Sequence, residues 1–581
     1  MPAALHARVS AHLEQALDVL EASGDLPAGL ARSGVTVETP HDAAHGDLST
    51  NAAMVMGRRA GVPPRQLAEA LASRLAALEE VTSVEVAGPG FVNLRLTDHA
   101  WRDELATIAH SGERYGSSGF GAGKTVNIEY VSANPTGPMH MGHCRGAVVG
   151  DALANLLAFT GHRVIREYYV NDAGGQVDVL ARSAHIRYLE ALGDSVGDIP
   201  EGLYPGDYLK LVGQALASDY GDRYRQAPPT AWLPIFRSRA VAAMMETIRA
   251  DLALLGVRHD RFASEAELLE TGRPAAAEAW LRERDLIYNG VLDPPKGSKP
   301  EDWQPIELPL FRSTLFGDDQ DRPIRKADGS WSYFGIDLAY HFEKARDADQ
   351  MIDVWGADHA GTVKRIIAAT EALTEGRKRF DIKLVQLVRL LRAGEQVKMS
   401  KRAGNFVTLS DVVREVGKDV VRFTMLTRKA EAPMDFDFAK VVEASKDNPV
   451  FYVHYAHARI HSLANRAAEA AFEQGATPDL TRLDDRDLAL VKQAAQFPRI
   501  VEASAAAREP HRIAFYLADL AAAFHAMWNA GIDDPQRRFI LKDDAPLSHA
   551  RLSLANAVGQ VIRNGMALMG VEPMQQMPRA P

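Results

Sequence analysis

Between residues 125 and 193 the hydrophobic pattern alternates between two periods, and this restricts the fold more than any other feature of the chain. "TVNIEYV" (125–131) is a short β-rich apolar run, and "RGAVVGDALANLLAFTG" (145–161) has helical spacing and stops at a glycine. "HRVIREYYV" (162–170) reads as a second strand and "GGQVDVLARSAHIRYLEALG" (174–193) as a second helix. A helix joining two neighbouring strands implies a crossover connection, so the strands run parallel. The pattern returns in "QMIDVWGADHAGTVKRIIAATEAL" (350–373), with "LVQLVRLLR" (384–392) as a further strand candidate.

The rest of the chain is organised around that unit. A single hydrophobic core rarely grows beyond ~250–300 residues, so 581 residues imply several domains. Residues 1–110 read as a small α/β module: an amphipathic helix, the helical "PPRQLAEALASRLAAL", and strands around the Gly-Pro-Gly of "VTSVEVAGPGFVNLRLT". The Gly- and Ser-rich stretch 111–123 reads as a linker. The parallel-sheet domain spans 124–410, with an insertion around 195–235. Residues 411–444 read as connecting helices and 445–581 as an all-helical domain. The fold class is therefore multidomain α/β.

Composition narrows the function. The only cysteine, Cys144, rules out an intrachain disulfide and a multi-cysteine zinc site, and points to a reducing, cytoplasmic compartment. No apolar run approaches the ~20 residues a membrane span needs, and the N-terminal helix carries Glu14, Asp18 and Glu21, unlike a signal peptide. A net charge of −10 argues against a uniformly basic nucleic-acid surface and leaves room for local patches.

The loop "SANPTGPMHMGHCRG" (132–146) places His140 and His143 where a strand ends and a helix begins. Three readings are open: satisfied loop histidines, a metal site with Cys144, or a phosphate site. The context favours phosphate. Ligands bind beyond the carboxyl ends of parallel strands, helix N-termini suit anions, and Gly142 lets a nucleotide approach the backbone. A second stretch, "GEQVKMSKRAGNFVTL" (394–409), gathers Lys398, Lys401 and Arg402 between glycines. Read blandly it is a solvated basic loop, but its lysines also suit a pyrophosphate leaving group.

The pair "HMGH" (140–143) and "KMSKR" (398–402) resembles the two signatures of class I aminoacyl-tRNA synthetases. "SANPTGPMHMGHCRG", "YVNDAGGQ", "WGADHAG", "NPVFYVHYAHARI", "HGDLSTNAA" and "GPGFVNL" resemble the arginyl-tRNA synthetases in particular, over nearly the whole chain. The resemblance implies a Rossmann-like catalytic domain, an N-terminal module on the tRNA elbow and a C-terminal helical bundle on the anticodon. It implies ligation of L-arginine to tRNA(Arg) through an arginyl-adenylate, with ATP and Mg²⁺, no protein-held metal, and a monomer without a membrane partner. ATP would be held by His140, Gly142, His143, Asp358, His359, Lys398, Met399, Ser400 and Lys401, with the two histidines and two lysines catalytic. Arginine would be held by Glu129, Asn134, Tyr333, Asp337 and Asp358. The tRNA would meet Asn93 in the N-terminal module and Tyr452, His454, Tyr455 and Arg459 in the helical domain.

A guanidinium is planar and permanently charged, so its pocket needs carboxylates, which Glu129 and Asp337 supply. Two departures stand out: Ile336, where many relatives carry a basic or small polar residue, and Arg402, where serine is commoner. A glutamate- or glutamine-specific relative would want a cationic or amide anchor, and a cysteine-specific one a zinc thiolate. A tRNA-binding paralogue without activity would have lost a signature residue. A general nucleotidyltransferase would not need the flanking domains.

Overall fold

The computed structural model describes residues 3–40, 42–292, 305–397, 407–469 and 478–577. Its centre is a five-stranded parallel sheet. From one edge to the other the strands are Arg379–Val385, Gln350–Gly356, Thr125–Tyr130, Arg163–Val170 and Arg261–Ser264. The chain therefore winds outward one way from Thr125–Tyr130 and later the other way from Gln350–Gly356. The point where the winding reverses, between these two strands, opens a crevice at their carboxyl ends.

The helix Met141–Phe159 makes the first crossover, and its buried face includes Val148, Leu153 and Leu156. The second crossover is long. Helices Gly175–Ala191, Tyr208–Tyr220 and Pro229–Leu254 pack around Tyr188, Trp232 and Phe236 before the chain reaches Arg261. The expected insertion boundary at 235 thus falls inside a helix that runs on to 254. A three-stranded antiparallel sheet of Ile287–Val291, Glu307–Phe311 and Arg322–Pro323 precedes the helix Tyr333–Asp347, which leads back into the parallel sheet.

Two other expectations change. "LVQLVRLLR" is not one strand: Val385 ends a strand of the parallel sheet, and Val388 begins one that pairs with Met434–Asp437. The chain turns between them at Gln386, whose N–H bonds Ala430. The segment 411–444 accordingly holds a strand besides its helices. The 111–123 stretch is also no free linker. Tyr115 is buried against Phe497, its hydroxyl donates to Glu104 at 2.6 Å, and Asn564 donates to the carbonyls of Gly112 and Tyr115.

The N-terminal module is a four-stranded antiparallel sheet, in the order Val37–Glu38, Leu48–Thr50, Phe91–Leu96, Val81–Ala87, backed by helices. Gly46 is required beside it: its φ is +96° and a Cβ there would lie 2.6 Å from the Leu94 carbonyl oxygen. The C-terminal helices Pro449–Glu469, Asp485–Ala494, Phe497–Ala507, His511–Asp533 and Ala545–Leu568 bury a common core. Among the described residues no helix is long and apolar enough to cross a membrane.

Candidate active site

The crevice at the reversal point is a cavity of about 600 Å³. Glu129, Asn134, His140, Gly142, His143, Tyr333, Asp337, Asp358 and His359 all line it, so the structure gathers in one place every small-substrate candidate among the described residues. Lys398, Met399, Ser400, Lys401 and Arg402 lie outside the described residues. The residues just beyond them are placed: Leu409 N–H bonds Met139 O at 2.9 Å, and Thr408 bridges His140.

His140 caps the helix Met141–Phe159. Its Nδ1 accepts Gly142 N–H at 3.0 Å, while His143 Nδ1 faces the N–H of His140 at 3.4 Å. A ring nitrogen that accepts from the backbone carries no proton, so each neutral imidazole holds its hydrogen on Nε2. The rings stack with centroids 4.0 Å apart. This makes two side-by-side donors at a helix N-terminus, a set suited to phosphate oxygens. Cys144 is fully buried and burial pushes its thiol up to about 12, so it stays protonated and inside the core.

The turn after the strand Thr125–Tyr130 is strained. Val131 and Ser132 have φ of 75° and 40°, a region costing non-glycine residues about 1–3 kcal/mol each. Ser132 Oγ holds the turn, donating to Glu129 Oε1 at 3.0 Å and accepting Tyr169 N–H at 3.1 Å.

The acids of the cavity divide into two kinds. Glu129 is 6% exposed and its Oε2 accepts Lys344 Nζ at 2.7 Å. The same ammonium donates to Asp353 at 2.7 Å, and Asp353 also meets His341 at 3.0 Å. Asp337 differs: among the described residues its carboxylate has no hydrogen-bonded or ion-paired partner. Burial pushes it up to about 7, opposed by the charges of His341 and Arg365 and assisted by Glu129 and Glu265. Ile336, the departure noted in the sequence, is buried and lines the same cavity, so the residue next to Asp337 in the chain is apolar.

Other assigned residues sit as follows. Tyr333 stands at the mouth, 72% exposed. Asn134 donates to Gln176 at 3.0 Å. Asp358 and His359 also line the cavity, their side-chain ends 3.7 Å apart. Sequence reasoning missed Tyr169, Glu265, Arg365 and Gln386, which also line the cavity. Gln386 carried a signal, a lone amide inside an apolar strand run. Glu265 carried none, because its place depends on the long crossover.

The tRNA candidates divide as well. Arg459 lies 4.1 Å from the Tyr455 ring centre and 5.0 Å from that of Trp528, and meets His525 Nδ1 at 3.0 Å. Tyr452 packs on His525 at 4.3 Å. Two assignments need correction. His454 is 1% exposed and accepts Met574 N–H, so it belongs to the helical core and cannot stack on a base. Asn93 is 5% exposed with its amide oxygen taken by the Ser49 hydroxyl, whereas Phe91, two residues before it, is 41% exposed.

Comparison with known proteins bears on all three parts of the chain. Residues 4–96 match the family model described as arginyl tRNA synthetase N terminal domain. Residues 104–194 match tRNA synthetases class I (R), catalytic domain, and 453–577 the DALR anticodon binding domain. An arginine–tRNA ligase of Novosphingobium aromaticivorans is 65% identical over 577 residues, covering 99% of each chain. One of Parvibaculum lavamentivorans is 57% identical, covering 97% of this chain and 98% of the relative. The solved Thermus thermophilus arginyl-tRNA synthetase shares the fold, with a TM-score of 0.73 at 21% identity over 98% of this chain and 100% of that one.

Proposed function

The chain belongs to the class I arginyl-tRNA synthetase family, and on that premise we propose that the cavity at the sheet's reversal point is where arginine and ATP are joined. The enzyme ligates arginine to tRNA at the expense of ATP. In our reading the arginine carboxylate attacks the α-phosphate in line, pyrophosphate leaves, and the terminal ribose hydroxyl of tRNA(Arg) then displaces AMP from the arginyl-adenylate. Catalysis of this kind is mostly positioning and charge stabilisation.

One observation carries the assignment of the amino-acid end. Asp337 is a desolvated carboxylate with no hydrogen-bonded or ion-paired cation among the described residues, in a cavity where Glu129 and Asp353 are already paired. A buried anion without a partner is costly, and a guanidinium of the substrate would relieve that cost. Glu129 is the second acid, Asn134 and Tyr333 orient the substrate, and Asp358 completes the wall. His140 and His143 offer their Nε2–H donors to the triphosphate, with Gly142, Asp358 and His359 beside them. Lys398 and Lys401, with Met399 and Ser400 between them, meet the leaving pyrophosphate. Mg²⁺ bound to the nucleotide would neutralise phosphate charge. Among the described residues no group of three or more His, Cys, Asp or Glu is arranged to hold a metal.

The helical domain grips the anticodon stem-loop through Tyr452, Tyr455 and Arg459, with Trp528 completing the stack, and the N-terminal module grips the elbow. In this reading the enzyme works as a monomer in the cytoplasm. Exchange of labelled pyrophosphate into ATP, run with each amino acid and with or without tRNA, tests the reading. Exchange should depend on arginine alone among the amino acids. Exchange driven equally by another amino acid would overturn it.

A further inference from the structure

The helix Tyr333–Asp347 carries a stripe of polar residues that descends from solvent into the core. Tyr333 is 72% exposed at the mouth and Asp337 lines the cavity, while His341 and Lys344 are 3% and 1% exposed. Lys344 is the unexplained member. A buried ammonium is costly to desolvate, and an apolar side chain would fill the same space without that penalty. Its Nζ instead stands 2.7 Å from both Glu129 and Asp353 and 4.4 Å from the centre of the Tyr340 ring.

Glu129 and Asp353 face Lys344 and His341, and buried Glu167, which accepts the Tyr340 hydroxyl, adds a further negative charge nearby. Despite burial, which pulls it down, Lys344 is held above the ordinary lysine range by Asp353 and Glu129. Burial pushes Glu129 up, and Lys344 is the foremost group opposing that push. Glu129 in turn accepts the Ser132 hydroxyl, which holds the strained turn Val131–Ser132 at the cavity floor. Lys344 therefore reaches the cavity surface through two hydrogen bonds in series.

We propose that Lys344 is a positioning residue for arginine, an internal cation that keeps Glu129 ionised and oriented at the floor of the cavity so that Glu129 and Asp337 together receive the substrate's cationic groups. This rests on the cavity being the arginine site. Lys344 touches no substrate itself. Without it, Glu129 would face Asp353, Asp337 and the hydroxyl of Tyr340 with only His341 as a nearby cation, and His341 is committed to Asp353. Tyr169, on the neighbouring strand, also feels the Glu129 charge. Glu129 would then take up a proton.

The test is the pH profile of the arginine KM in tRNA-dependent pyrophosphate exchange, read between pH 7.5 and 8.5, where Asp337 is mostly ionised. Wild type should change by less than about 1.5-fold across that window. Lys344→Met should have a raised arginine KM that falls by up to about tenfold per pH unit as Glu129 ionises, with the KM for ATP unchanged. Lys344→Arg should restore the wild-type profile. Glu129→Gln should raise the arginine KM at every pH, and adding Lys344→Met to it should change nothing more. A merely structural lysine would not shift the profile. If Lys344→Met does not fold, Lys344→Gln, which removes the charge but keeps a polar group between Glu129 and Asp353, should show the same pH-dependent KM. A raised KM in Glu129→Gln beside a wild-type profile in the Lys344 variants would overturn the role of Lys344 alone. An unchanged KM in Glu129→Gln would overturn the arginine-site reading of Glu129, and the proposal with it.

Discussion

The imidazoles of His140 and His143 stack 4.0 Å apart, and each presents Nδ1 to a backbone N–H of the turn that starts the helix Met141–Phe159. The backbone thus chooses the tautomer, and the Nε2–H donors follow from it. His143→Ala should reduce adenylate formation by roughly 10²–10³, the loss seen for one preorganised transition-state donor. His140→Asn keeps a capping acceptor, so it should hold thermal stability near wild type while losing activity. Pyrophosphate exchange and a melting curve on both variants check this. Stoichiometric zinc, removed together with activity by a chelator, would show that the histidines hold a metal instead.

Lys401→Ala should lower the turnover of activation far more than it weakens ATP binding. The charge it meets grows only as pyrophosphate departs, and an interaction made only in the transition state appears in kcat. An unchanged turnover with a raised KM for ATP would assign the lysine to ground-state binding.

Asp337 should set the choice between arginine and citrulline. Citrulline keeps the shape and loses the charge, leaving the carboxylate buried without a cation. That costs ~3–5 kcal/mol, or two to four decades of discrimination in kcat/KM. Lysine keeps the charge but loses the planar fork and should also fail. Asp337→Asn should weaken arginine use and narrow the gap to citrulline. Undiminished selectivity in both Asp337→Asn and Glu129→Gln would move the anchor elsewhere.

The same residue predicts two pH effects. Its carboxyl sits at about 7 in the folded protein against an ordinary 3.8. Arginine binds the ionised form, so its KM should rise as pH falls below 7. A carboxyl raised in the folded state contributes stability that is fully present below pH 3.8 and is lost as pH rises through 7. Asp337→Asn should therefore stabilise the ligand-free enzyme at pH 8, by at most ~4 kcal/mol, and much less at pH 4.5. Denaturant titrations at the two pH values decide it, and an equal effect at both would show that ionisation is not the cause.

Arg459→Ala should raise the KM for tRNA by about tenfold or more, since a base stacked on such a surface is worth ~1–3 kcal/mol, while leaving the KM for ATP unchanged. His454→Ala should instead lower the melting temperature with little effect on tRNA affinity, because His454 lies in the core. Charging assays over a tRNA series and a thermal melt separate the two. The reverse pattern would restore His454 to the tRNA surface.

How much of this was legible in the sequence depends on the range of the interaction. The alternation of "TVNIEYV" and "RGAVVGDALANLLAFTG" appears as a strand and a helix because one-sided burial leaves a local periodic trace. The histidines at a strand-to-helix turn and the helical C-terminal domain were readable for the same reason, whereas the small-substrate candidates came from the motifs shared with the synthetases. Periodicity says which side of a helix is apolar but not which neighbour covers it. His454 and Arg459 thus looked alike on paper, although one is in the core and the other stacks between Tyr455 and Trp528. Glu129 and Asp337 were equally plausible anchors for a cation. Only the tertiary structure separated them, by bringing Lys344 to Glu129 from 215 positions away and leaving Asp337 without such a partner among the described residues. Charge pairing is decided by distance through space, and that distance leaves no mark on the local sequence.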